Sequence, residues 1–247
     1  MNRNLRKRSG ICALAVACLV LSMSVASETA QAGDDDNDRG LVFPPGAKIS
    51  GSTYREWTAK WWQYIFPIPS PANPTNDTAG NFCDVAQRGP VWFLAGSGSG
   101  VPVTRTCTIH AREKPIFFPI INVECSTQDQ PPVSYPNGFH CTDGSSCTTC
   151  ATLWGALLDS NSLKATVDGH EVTALNKFHF QSPPFEFRLP GNNILGTGSP
   201  GAGTSVTDGY WLMLKPLRPG HHTLHFEGAL PSASFTVNVT YELTVAP

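Results

Sequence analysis

From Phe235 onward the chain alternates without a fault: Phe235, Val237, Val239, Tyr241, Leu243 and Val245 interleave with Thr236, Asn238, Thr240, Glu242 and Thr244. A period of two predicts a strand with one buried face and one wet face. Residues 54–66 follow a different period. At 100° per residue Tyr54, Trp57, Thr58, Trp61 and Ile65 share one side, and Arg55, Glu56, Ala59, Lys60 and Gln63 the other, which predicts an amphipathic helix. Thr53 and Glu56 have capping-box spacing at its start, and Pro67, Pro69, Pro71 and Pro74 end it.

The remaining pattern is one of short strands and turns. Val91 to Ala95 and Val101 to Ile109 flank a Gly-Ser-Gly-Ser-Gly run, a spacing that predicts a hairpin. The apolar run from Lys114 to Cys125 predicts a buried strand whose two prolines place it at an edge or a bulge. On it, Asn122 and Glu124 are expected to continue the stripe of Ile116, Phe118 and Ile120. Asp168-Gly169 suits a type I′ turn closing a hairpin over residues 163–174. Arg218-Pro219-Gly220 is expected to join Tyr210 to Leu217 and His222 to Phe226 as another hairpin. A second, short helix is expected over Ala151 to Asp159, with Leu153, Trp154, Leu157 and Leu158 inward.

This density of strands predicts a mostly β fold, an antiparallel β-sandwich or jelly roll carrying one N-terminal Trp-rich helix and a second short helix. Residues 1–32 read as a signal peptide: Arg3, Arg6, Lys7 and Arg8 precede an apolar stretch from Ile11 to Val25 and a small-residue site at Ala30-Gln31-Ala32. Cleavage after Ala32 fits better than cleavage after Ser27 or lipidation at Cys18. Residues 33–49, opening with Asp34-Asp35-Asp36-Asn37-Asp38, are expected to be an acidic, partly disordered segment before a single β-rich domain over 50–247. No later segment is apolar for long enough to form a membrane-spanning helix.

Removing the leader takes four basic residues and one acid, which leaves an acidic chain without a basic stripe. Nucleic acid is therefore not an expected partner. Six cysteines remain, Cys83, Cys107, Cys125, Cys141, Cys147 and Cys150. An even set in an exported chain points to disulfides, and the sequence leaves fifteen pairings open. Our working assignment is Cys83–Cys107, Cys125–Cys150 and Cys141–Cys147, the last because Thr142 to Ser146 carries turn residues.

Several motifs fail on their mechanics. No two histidines are spaced i,i+2, so His221, His222 and His225 cannot converge on a metal from one strand, and neither a metal nor another cofactor is expected. Cys147-Thr148-Thr149-Cys150 lacks a thioredoxin-like context. Gly196-Thr197-Gly198-Ser199-Pro200-Gly201 is expected to be part of a loop running through Ser205, without the following helix a dinucleotide site needs. Two features persist. Glu124 places a carboxylate at the end of an apolar stripe, where it must be paired, hydrogen-bonded or protonated. Trp62 and Tyr64 lie at the margin of the helix's apolar face, where half-exposed aromatics stack on planar ligands.

The blocks Tyr54-Arg55-Glu56-Trp57 with Trp61-Trp62, Pro90 to Gly96, Phe117 to Cys125, Gln181-Ser182-Pro183, Asp208 to Trp211 and Pro219 to Thr223 together resemble an uncharacterised family of exported bacterial proteins. Arg55 departs from the small residue that family's pattern has there. The resemblance implies export and one continuous domain, and it brings no catalytic residue. The expected function is a non-catalytic binding or envelope-associated module, periplasmic or extracellular, that recognises a saccharide or protein partner. Trp62, Tyr64, Asn122 and Glu124 are its candidate contacts. The alternative is a secreted glycan hydrolase using Glu124 with Asp77, Asp84 or Asp208 as second carboxylate.

Overall fold

The computed structural model describes residues 38–111, 113–129 and 141–247. The leader and most of the acidic run lie outside these residues. Among the described residues, twelve strands and three α-helices follow one another as α1 (Asp38–Leu41), β1 (Lys48–Ile49), β2 (Ser52–Thr53), α2 (Tyr54–Ile65), β3 (Trp92–Phe93), β4 (Val103–Ile109), β5 (Ile116–Ser126), α3 (Gly144–Gly155), β6 (Asp159–Val167), β7 (His170–Glu171), β8 (His179–Gln181), β9 (Phe185–Leu189), β10 (Gly201–Leu214), β11 (Gly220–Leu230) and β12 (Phe235–Val245). The first large sheet runs β3-β5-β10-β8, with β9 also paired to β10, and the second runs β4-β12-β11-β6-β7. Phe118 on β5 meets Phe226 on β11 at 4.8 Å between ring centroids, so the sheets face each other as a sandwich.

The mostly β reading holds, but the pairing is not wholly antiparallel. β3 lies parallel to β5, and β4 parallel to β12. Two segments expected to be hairpins are also crossings between sheets. The chain from β3 to β4 leaves one sheet for the other over its glycine-rich run, and Arg218-Pro219-Gly220 carries β10 across to β11. The hairpin at Asp168-Gly169 forms as expected, with φ of 53° and 79° and Val167 opposite His170. Residues 201–205, expected in a loop, are instead strand, held in register against β9.

In α2 both halves of the capping box are present, and Tyr54, Trp57, Trp61 and Ile65 are buried. Ala59, expected on the wet side, is buried too, because Phe185, Phe187 and Leu189 of β9 pack against that flank with Phe66. The domain also begins before residue 50. Val42 and Ile49 are buried, and the Tyr54 hydroxyl donates to the Phe43 carbonyl at 2.7 Å.

All three disulfides join the expected pairs. The shortest closes over a helix start rather than a turn, since Asp143 caps α3 and accepts from the Ser146 amide at 2.8 Å. α3 begins seven residues before the expected helix and presents a different face. Cys147, Cys150, Ala151 and Gly155 are buried, whereas Leu153 and Leu157 are exposed. The bond from Cys150 to Cys125 on β5 fixes which side of the helix meets the sheet, and only small residues fit beneath it. A Cβ at Gly155 would sit 2.5 Å from the Asp208 carboxyl carbon.

Two consequences can be measured. Gly80 has a φ of +97°, and a Cβ there would lie 2.0 Å from the Thr106 carbonyl oxygen of β4. Gly80→Ala is therefore expected to cost about 3 kcal/mol or more, or to prevent folding, as read by urea denaturation. His222 loses from burial, but bonds to Asp168 (2.7 Å) and to the Arg218 carbonyl (2.8 Å) outweigh that and raise its pKa. A raised histidine stabilises fully below its unfolded pKa, about 6.5, and loses that contribution as pH rises through the folded value. His222→Gln should accordingly lower the urea midpoint more at pH 5.5 than at pH 9.

Candidate functional site

β3 covers only the start of β5, pairing at Ile116 and Phe117. Beyond it that edge has no strand partner among the described residues. There β5 bulges: Tyr210 opposes Ile121 but Trp211 opposes Pro119, so Ile120 is the extra residue. Proline has no amide to give to the ladder, and a bulge is where a strand tolerates it. Beside this gap lies a cleft of about 330 Å³. Its walls are Trp61 and Trp62 of α2, residues 119–122 of β5, Gly96 to Gly98 of the crossing, Thr75 and Asn76, Ile194 and Leu195, and Phe235 and Val237 of β12.

The bulge also reverses the expected facing. Phe118 points at the second sheet and Phe117 at Tyr54 of α2. After the extra residue it is Ile121 that approaches Gly228 in the second sheet. Asn122 and Glu124 thus leave the stripe of Ile116 and Phe118 and turn toward the helix. The Trp62 indole N–H donates to Asn122 Oδ1 at 3.1 Å, so two of the four expected contacts come together at the cleft. Trp57 and Trp61 are core residues whose N–H groups donate to the Ile49 and Leu94 carbonyls.

Tyr64 and Glu124 are elsewhere. Tyr64 packs on Phe93 with its hydroxyl donating to Val85, and burial pushes its pKa up. Glu124 does not line the cleft. Its carboxylate accepts from the Ser205 hydroxyl. Burial raises its pKa well above the usual range and the neighbouring Asp129 adds to this, while bonds from Ser205 and Ser126 offset part.

The expected second carboxylates do not join it. Asp208 opposes Val123 while Glu124 opposes Thr207, so the two acids point to opposite faces of the sheet. Asp208 is held instead by His179 and by Gln181 Nε2 at 3.0 Å, under α3. Asp77 accepts three backbone amides, from Ala79, Gly80 and Phe82 at 2.7–3.0 Å. Burial alone would raise its pKa, but these bonds and Arg105 bring it below the usual range. Asp84 is exposed and outside the cleft. None of the three expected second carboxylates therefore pairs with Glu124; its carboxylate neighbour is Asp129, and neither acid lines the cleft.

The histidines His221 and His225 lie on the outer face of the second sheet, bonded to Thr244 and to Thr240 and Glu227. Sequence reasoning missed the cleft's other walls, including Asn76, Ser97, Ile194, Leu195 and Phe235. Their segments are far apart in the chain, and no local pattern marks them.

Glu124 gives the next test. A carboxyl whose folded pKa is raised contributes stability present below its unfolded pKa and lost as pH rises through the folded value. Glu124→Gln should raise the melting temperature at pH 8 by roughly 2–4 °C, about 1 kcal/mol for a chain of this size, with the gap closing below about pH 4. No family model, no curated protein and no solved structure matches this chain.

Proposed function

We propose that this is an exported, non-catalytic binding protein whose cleft takes an uncharged saccharide. One observation carries the reading: none of the described residues lining the cleft is ionisable. General acid–base chemistry needs a titrating group within hydrogen-bond reach of the reacting atoms, and recognition of a charged ligand needs an opposite charge or a dense set of donors. This cleft offers indole and phenyl surface, aliphatic side chains and a few neutral polar groups. Trp62 and Phe235 are partly buried, leaving ring surface on which the apolar face of a pyranose can stack.

Export rests on the leader-like start of the sequence and on three disulfides, which persist in oxidising compartments. No helix among the described residues is long and apolar enough to cross a membrane. Trp61-Trp62 and Pro119 to Asn122, two of the blocks that carry the family resemblance, supply two of the cleft's walls. A volume near 330 Å³ suits a sugar better than a protein surface.

A panel of neutral and charged oligosaccharides, titrated against the full chain with tryptophan fluorescence as readout, checks the reading. Neutral sugars should quench or shift the emission, and Trp62→Ala should weaken binding about tenfold or more. Binding confined to charged glycans, or binding that Trp62→Ala leaves intact, would refute it.

A further inference from the structure

We infer that the saccharide is a 2-acetamido sugar, and that the cleft recognises its acetyl group through Asn122. This inference rests on the saccharide reading and deepens it. An indole N–H can only donate, so the atom of Asn122 that faces Trp62 at 3.1 Å must be the carboxamide oxygen. The neighbouring Thr207 hydroxyl has one proton and a closer acceptor, the Val123 carbonyl at 2.6 Å against 3.3 Å to Asn122. The carboxamide is thereby locked in one orientation. Its nitrogen keeps two N–H donors that no described residue accepts, on a side chain lining the cleft beside Pro119, Ile120 and Val237.

A donor set in an apolar wall selects its acceptor. A sugar hydroxyl can accept from it and pass its own proton to a neutral acceptor such as the Asn76 oxygen, but it sets a polar group with no apolar partner against the aliphatic side chains that line the same cleft. A carboxylate would lose its hydration without gaining a cation, and an ammonium would find no carboxylate. An acetamido group meets both demands, because its carbonyl oxygen takes the Asn122 N–H and its methyl lies against the aliphatic wall. Its own N–H needs an acceptor. Asn76, whose Nδ2 is engaged by the Ser70 carbonyl at 3.2 Å and hydroxyl at 3.0 Å, leaves a carbonyl oxygen for that role.

The test uses three β-1,4-linked trisaccharides with the full chain: tri-N-acetylchitotriose, cellotriose and fully deacetylated chitotriose. We expect the acetylated trimer to bind about tenfold or more tightly than cellotriose, the equivalent of one well-made hydrogen bond, and the deacetylated trimer, tested at pH 5.5 where its amines are protonated, not to bind. Asn122→Asp should reduce the acetylated trimer's affinity to about that of cellotriose. The aspartate still accepts the Trp62 N–H, and an unchanged circular dichroism spectrum shows that the variant is folded. A disaccharide containing N-acetylmuramic acid separates the two sources of such sugars. Its lactyl carboxylate should weaken binding relative to the neutral N-acetylglucosamine dimer, which assigns a chitin-type ligand; equal binding assigns a cell-wall glycan and leaves the acetamido inference standing. Equal affinity for the acetylated trimer and cellotriose overturns the acetyl inference and spares the saccharide reading. No binding of any of these sugars overturns the acetyl inference, and no binding across the whole neutral panel overturns both.

Discussion

A guanidinium enclosed by backbone carbonyls ties three separate segments of this sandwich to one another. Arg105, on β4, is 1 % exposed. It donates to the Asp77 carbonyl at 2.7 Å, to the Ala95 carbonyl at 2.7 Å, to the Tyr241 hydroxyl at 2.7 Å and to the Gly96 carbonyl at 3.2 Å. Burying a cation is costly unless its donors are all met, and here the acceptors come from three places: the Asp77 loop, the crossing between the sheets and β12. The Asp77 carboxylate, held below its usual pKa, supplies compensating charge nearby. A crossing rich in glycine has much conformational entropy to lose. Fixing its first two carbonyls to a buried cation is what makes Gly96 to Gly98 a wall. The same cation fixes Asp77, whose neighbours Thr75 and Asn76 are another part of the cleft.

What could be read from the sequence was local or covalent. The capping box of α2, the alternation of β12 and the Asp168-Gly169 turn each follow from residues adjacent in the chain, and the even set of cysteines marked disulfides without choosing among their pairings. The failures share a different origin. A glycine-rich link between two apolar runs has the same composition whether it turns back within a sheet or crosses to the opposite one. The choice is made by partners far away, such as Arg105 and Tyr241. The face of α3 was misread because hydrophobic periodicity was overruled by a covalent bond, with Cys150 tied to Cys125 turning Leu153 and Leu157 outward.

The bulge at Ile120 shows how one residue redirects a site. Counting by twos along β5 places Asn122 with Phe118 against the second sheet, and a single inserted residue places it against α2 instead. Trp62 was legible as a rim aromatic from helical periodicity, and Asn122 as a polar residue on a buried strand. Their pairing was not legible, because it depends on that inserted residue and on the short reach of β3. The rest of the cleft comes from segments that only the tertiary fold brings together.

The titrating groups and the cleft are kept apart, and this bears on how the protein behaves. Glu124 and His222 are raised, so each favours the folded state at lower pH. Asp77 and Glu227 are lowered, with Glu227 drawn down against its burial by His225 and Lys164, so each favours it at higher pH. These opposing contributions act on the framework: the strand end at Glu124, the β6–β7 turn, the Asp77 loop and the outer face of the second sheet. None acts on a group that lines the cleft. On the binding reading we propose, recognition by neutral donors and acceptors stays constant with pH as long as the framework is folded, and pH governs the site only through the stability of the sandwich that shapes it. A hydrolase working by acid–base catalysis would couple the two, because the groups that titrate would also be those that touch the substrate.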